Sequence, residues 1–171
     1  AETILMTQIG YENLLAKITE KEKEYDQGRD HRRDAFELSG DGWHDNPEFN
    51  RMQQLEANLN HTLKTLNDRL DVMKFIDIHD GMRNIQQVEI GSIVKLRRYD
   101  LADDSEIEEI WEIRGFDETN IKLKHLAYNA PLAEKIMHLH VADIAEEVQI
   151  GSRHFDIEVV ALFKTRLIAG I

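Results

Sequence analysis

Apolar and polar positions divide the chain into two halves with different periods. From Tyr11, the positions Tyr11, Leu14, Ile18, Lys21, Tyr25, Gly28, Arg32 and Ala35 advance by alternating steps of three and four. That spacing keeps side chains on one stripe of a helix. The early members are apolar and the later ones are not, so the stripe weakens towards residues 28–33. A second stripe, Met52, Leu55 or Leu59, Thr62 or Leu63, Leu66, Leu70 and Met73, holds a 3.5-residue repeat as far as Phe75. Stripes of this kind with charged flanks predict a coiled coil. Between them lie Ser39, Gly40, Asp41, Gly42, Asn46 and Pro47, a concentration of turn formers. Pro47 suits the first turn of the second helix, with Asn46 or Asp45 as its cap. Two helices joined by about eight residues are predicted to run antiparallel. At 1.5 Å per residue, roughly 30 residues make an arm of about 45 Å, with its tip at residues 39–48.

The helical period ends near Ile76. The stretch IDIHDGMRNIQQVE reads as a linker with a turn at Asp80-Gly81. Beyond it, Ile90–Leu96, Glu109–Gly115, Ile121–Leu126, Glu147–Ile150 and His154–Phe163 read as strands. Pro131–Leu139 reads as one short helix with a first-turn proline. The acidic run Asp100–Glu109 is expected as an exposed loop. The fold class is therefore α+β: a helical hairpin over residues 1–78, a linker at 79–89, and a small, mainly antiparallel sheet domain over 90–171.

Composition narrows the function classes. The 171 residues include 33 Asp and Glu, 21 Lys and Arg, and no Cys, for a formal net charge of −12. Without cysteine there is no disulfide, thiolate metal site or thiol nucleophile. Apolar runs are too short to span a bilayer, and AETILMTQIGYE lacks the features of a signal peptide, so no membrane role and a cytoplasmic location are expected. The acidity argues against tight binding of free nucleic acid, which is driven by clustered cations. A charged fraction of 32% suits a shape with much surface and little core.

The tip holds the most unusual chemistry: Asp41, Gly42, Trp43, His44, Asp45, Asn46, Pro47, Glu48 and Phe49. Asp41 and Asp45 on one tight turn offer the one or two carboxylates that Mg²⁺ usually takes from protein, and they could orient a water. The plainer reading is that acidic residues and Asn at a helix turn cap and solvate it. Trp43 weighs against that, since an indole on a remote loop points to a partner. Trp43, His44 and Glu48 are candidate contact residues there. Arg29, Arg32 and Arg33, three Arg in five positions, stand out in an acidic chain, readable as a phosphate-facing patch or as a face balanced by Asp30, Asp34 and Glu37. His138 and His140 are expected at the surface. No HExxH, GxxxxGK[ST] or GxGxxG occurs.

These residues carry a family resemblance. Gly40-Asp41-Gly42-Trp43-His44-Asp45-Asn46-Pro47-Glu48-Phe49 resembles the acidic turn G-D-x-x-E-N-A-E-Y of the bacterial Gre transcript-cleavage factors, GreA and GreB. Met6-Thr7-x-x-Gly10-x-x-x-Leu14 resembles their opening, Ile90-Gly91-Ser92-x-Val94 their G-S-x-V strand, and Ala130-Pro131-Leu132-Ala133 their S-P-[LI]-A helix start. The resemblance implies an antiparallel coiled-coil hairpin and an FKBP-like C-terminal domain without isomerase activity. It further implies a cofactor of RNA polymerase rather than an enzyme. The hairpin would enter the polymerase's secondary channel and stimulate cleavage of backtracked transcripts. Asp41 and Asp45 would help hold a shared Mg²⁺ that the free protein binds weakly or not at all. Arg29, Arg32 and Arg33 would meet the RNA 3′ part. The turn departs from the family in two ways: one extra residue before Asp45-Asn46, and Asp45 in place of Glu. Alternatives are a Gre-like inhibitor that blocks the channel, a non-catalytic coiled-coil adaptor, and a free-standing hydrolase using Asp41, His44, Asp45 and Glu48.

Overall fold

The computed structural model describes residues 2–171, with the backbone alone for Asp41 and Trp43. The chain opens on strand β1 (Ile4–Met6) and passes into helix α1 (Gln8–Ser39). A 3-10 turn, Gly40–Asp45, leads to α2 (Pro47–Val72) and then directly to β2 (Met73–Phe75), which shares a two-stranded sheet with β1. There follow β3 (Ile93–Asp100), β4 (Glu106–Arg114), β5 (His125–Ala127), α3 (Pro131–Ile136), β6 (Ile144–Ile150), β7 (Arg153–Phe163) and α4 (Arg166–Ala169). Two compact units result. One holds Tyr11–Lys74 with the chain start up to Ile4; the other holds Leu5–Gly10 and Phe75–Ile171.

In the first unit α1 and α2 form a hairpin. Its cross-helix contacts, Ser39 with Asn46, Phe36 with Phe49 and Arg32 with Glu56, step away from the turn in opposite directions along the two helices. The helices are thus antiparallel. Burial follows the predicted stripes at Leu14 and Ile18 on α1 and at Met52, Leu59 and Leu66 on α2, each below a tenth exposed. Phe49 extends the second stripe towards the turn, and of Leu55 and Leu59 it is Leu59 that is buried. Towards the turn the stripe passes through Gly28 and Arg32, and Arg32 Nε lies 2.9 Å from Glu56 Oε2. That is ion-pair distance without hydrogen-bond alignment.

The second unit is built on a five-stranded sheet of order β5-β4-β3-β7-β6. Its core face presents Val94, Leu96, Ile113, Ile157 and Val159, covered by Leu132, Ala133 and Ile136 of α3 and by Val88. Three of its four pairings are antiparallel; β4 and β5 run parallel, so the sheet is mixed. The short helix starts at Pro131 as expected, and α4 is a second one. The acidic run expected as loop is loop only at 101–105: β3 reaches Asp100 and β4 begins at Glu106. Asp100 is 4% exposed and held by Arg153 at 2.8 Å, so its charge is matched where a pattern reading placed it in solvent.

The segment read as linker is integral to this unit. Val88 is fully buried, and Arg83 bonds Glu112 at 2.9 Å and the Gly91 carbonyl at 2.9 Å. The opening motif also has a structural cause here. Glu118 accepts hydrogen bonds from the Thr7 hydroxyl and the Thr7 amide, while Thr7 Oγ1 caps α1 by accepting from Gly10 N. A Cβ on Gly10 would lie 2.9 Å from Glu118 Cδ. Glycine there makes room for a buried carboxylate at a helix N-terminus, where the backbone dipole favours an anion. Gly91 adopts φ +93° in the turn into β3.

Candidate functional site

The turn is assembled from both helix ends. Helix α1 stops at Ser39 because Gly40 takes φ +55°, a left-handed conformation that terminates helices. Helix α2 starts at Pro47, which has no amide proton to leave unsatisfied. Asn46 is the cap: its Oδ1 accepts from Glu48 N at 3.0 Å. Of the two cap candidates, Asn46 serves and Asp45 stays exposed on the turn. Asn46 Nδ2 also donates to Ser39 Oγ, which in turn donates to the Ala35 carbonyl at 2.8 Å. Beneath this, the Phe36 and Phe49 rings meet at 6.0 Å between centroids.

Asp41 and Asp45 share the six-residue turn, with Asp41 and Trp43 side chains outside the described residues. His44 is exposed in its last part. Glu48 is engaged from below: Arg51 donates to both of its oxygens, at 3.2 and 2.9 Å, and this holds its carboxyl below the ordinary carboxylate range. Among the described residues no three His, Asp or Glu side chains stand together as a metal cage.

Each arginine of the basic cluster has a local partner. Arg29 lies over the Tyr25 ring at 5.9 Å, Arg32 pairs with Glu56, and Arg33 pairs with Asp30 at 3.5 Å. Arg29 and Arg33 remain at the surface, and Arg32 is drawn into the hairpin seam. Asp26 and Asp30 line the same groove, so the surface is of mixed sign. His138 and His140 are exposed as expected. Pattern reading missed the bond between Ser39 and Asn46 and the pairing of Glu48 with Arg51; the only trace of the latter is the i, i+3 spacing of opposite charges.

Fold and turn together define a class: a long helical hairpin with an acidic turn at its end, joined to a mixed-sheet unit. Among solved structures the chain is similar to GreA factor homolog 1 (Gfh1) of Thermus thermophilus, at 17% identity and TM-score 0.43 over 95% of this chain and 99% of that one. It is similar to Gfh1 of Thermus aquaticus at 18% identity and TM-score 0.43, again over 95% and 99%. A prokaryotic transcription elongation factor GreA/GreB from Nitrosomonas europaea follows at 14% identity and TM-score 0.36 over 95% and 98%. No protein-family model and no curated protein matches the chain.

Proposed function

We propose that this chain is an accessory factor of bacterial RNA polymerase that inserts its hairpin into the secondary channel and stimulates cleavage of backtracked transcripts. The observation that carries this reading is the acidic turn, Gly40 to Phe49, placed where helices of 32 and 26 residues meet. Helices of that length extend roughly 40–48 Å, enough to reach a recessed site. The order of Gre-like motifs along the chain supports it. The chain is then a cofactor and not itself the nuclease.

In this reading Asp41 and Asp45 hold one Mg²⁺ jointly with the polymerase's carboxylates. Two carboxylates leave most of an octahedral shell to water, so the free protein binds the ion weakly. The ion supplies charge neutralisation and an acidified water. Trp43, His44 and Glu48 contact the channel wall. Arg29 and Arg33, with Arg32 if it exchanges Glu56 for phosphate, face the RNA 3′ part. The net charge of −12 leaves no general affinity for free nucleic acid. The C-terminal unit docks on the polymerase without isomerase activity.

The test is a cleavage assay on backtracked complexes with the purified chain and its cognate polymerase. Shortened RNA with the chain present is the expected result; unshortened RNA with normal elongation would overturn the reading. A second reading is favoured by the extra residue before Asp45 and by the shorter Asp45 side chain: a factor that occupies the channel and blocks it. Slowed nucleotide addition without RNA shortening is its signature.

A further inference from the structure

We infer that Ser39 and Asn46 are positioning residues, a clasp across the two ends of the acidic turn that fixes the course of the backbone carrying Asp41 and Asp45; this rests on the turn being the site of action. Ser39 is the last residue of α1 and Asn46 immediately precedes α2, so the pair brackets the Gly40–Asp45 turn. Asn46 uses both ends of its amide. Oδ1 accepts from Glu48 N, and Nδ2 donates to Ser39 Oγ. The single hydroxyl proton of Ser39 goes to the Ala35 carbonyl, which leaves a lone pair facing Asn46. Both residues are partly buried, where a satisfied hydrogen bond is geometrically decisive. Capping alone does not ask for Asn, because Asp caps equally well. Only the amide adds a donor across the turn.

The distinction is testable because one substitution separates the two roles. Asn46→Asp keeps the cap acceptor and removes the donor; Ser39→Ala removes the acceptor of the clasp, leaves the cap intact and adds no charge. Maximal cleavage rate and half-saturating factor concentration are measured for both variants, the double variant and Ser39→Thr. In parallel, fluorescence depolarisation of Trp43 is followed in the free protein in a Trp111→Phe background, which leaves Trp43 as the one indole. Each single variant is expected to lower the maximal rate by about 10 to 10²-fold, the scale of an ångström's misplacement. Half-saturation and thermal midpoint stay put, Trp43 depolarises faster, the double variant is no worse than either single one, and Ser39→Thr restores the rate. Wild-type rate in Ser39→Ala, or Trp43 depolarisation unchanged in both single variants, would overturn the clasp. If the wild-type chain stimulates no cleavage, the functional reading fails and Trp43 depolarisation alone decides the clasp.

Discussion

A methyl group on Gly115 would sit 2.0 Å from Glu118 Oε2 and 2.9 Å from the Leu5 carbonyl. Glu118 cannot simply swing away, since it holds Thr7 at both its hydroxyl and its amide. Gly115→Ala is therefore expected to destabilise the chain by about 1–3 kcal/mol, the usual cost of overpacking, measured as a drop in denaturant midpoint. His125 shows the same dependence on surroundings. Its side chain is 13% exposed, and Nε2 lies 3.5 Å from Glu112 Oε2. Burial pushes the imidazole below its ordinary value, Arg114 pushes the same way, and Glu112 opposes them. Well above its ordinary value near 6.5 the ring is uncharged in both folded and unfolded chains. As pH falls below about 6.5 the unfolded chain takes the proton first, so stability is lost until the lower, folded value is also passed. The acid-side decline in thermal midpoint is expected to be shallower in His125→Gln than in the parent; an identical decline would remove His125 from the account.

At the scale of elements, the hairpin shows how a weak stripe still makes a helix. Gly28 is buried on the seam of α1, yet nothing lies within 4 Å of where its Cβ would be. A mid-helix glycine costs about 0.8–1 kcal/mol against alanine. Gly28→Ala should raise stability by about that amount, read as a higher thermal midpoint with unchanged helix content; a loss would mean the helices approach more closely there than the open space allows. The heptad positions from Tyr11 to Ala35 were legible because burial on one face and 3.6-residue winding admit one solution. The end of α2 was not. Met73–Phe75 continues the apolar repeat, but it pairs as a strand with β1. Strand pairing is decided by a partner some 70 residues away in sequence, which no local period reports. The mixed sheet has the same origin: β5 pairs in parallel with β4 over only His125–Ala127.

At the scale of the whole molecule, the acidic turn matters for where it is carried. A solvated turn would tolerate loss of either charge, whereas a turn that completes a metal site in a partner would not. Asp41→Asn and Asp45→Asn are each expected to keep polymerase affinity and helix content while lowering stimulated cleavage by about 10²-fold or more, the scale typical of lost electrostatic stabilisation. Full activity in both variants would return the turn to capping and solvation, and the blocking factor or adaptor would then be the better description.

Periodicity, turn formers and proline placement were enough to determine two helices, the turn between them and the strand-rich second half, because each rests on contacts between residues close in sequence; the cap they narrowed to Asn46 or Asp45. The acidic turn and its resemblance were legible for the same reason. Tertiary structure alone decided which charges are spent across the fold: Arg32 on Glu56, Arg83 on Glu112 and Asp100 on Arg153. It also decided that residues 5–10 and 79–89 belong to the second unit. Burying a charge or a linker is favourable only when a complementary group arrives from elsewhere in the chain, and that arrival is a property of the fold.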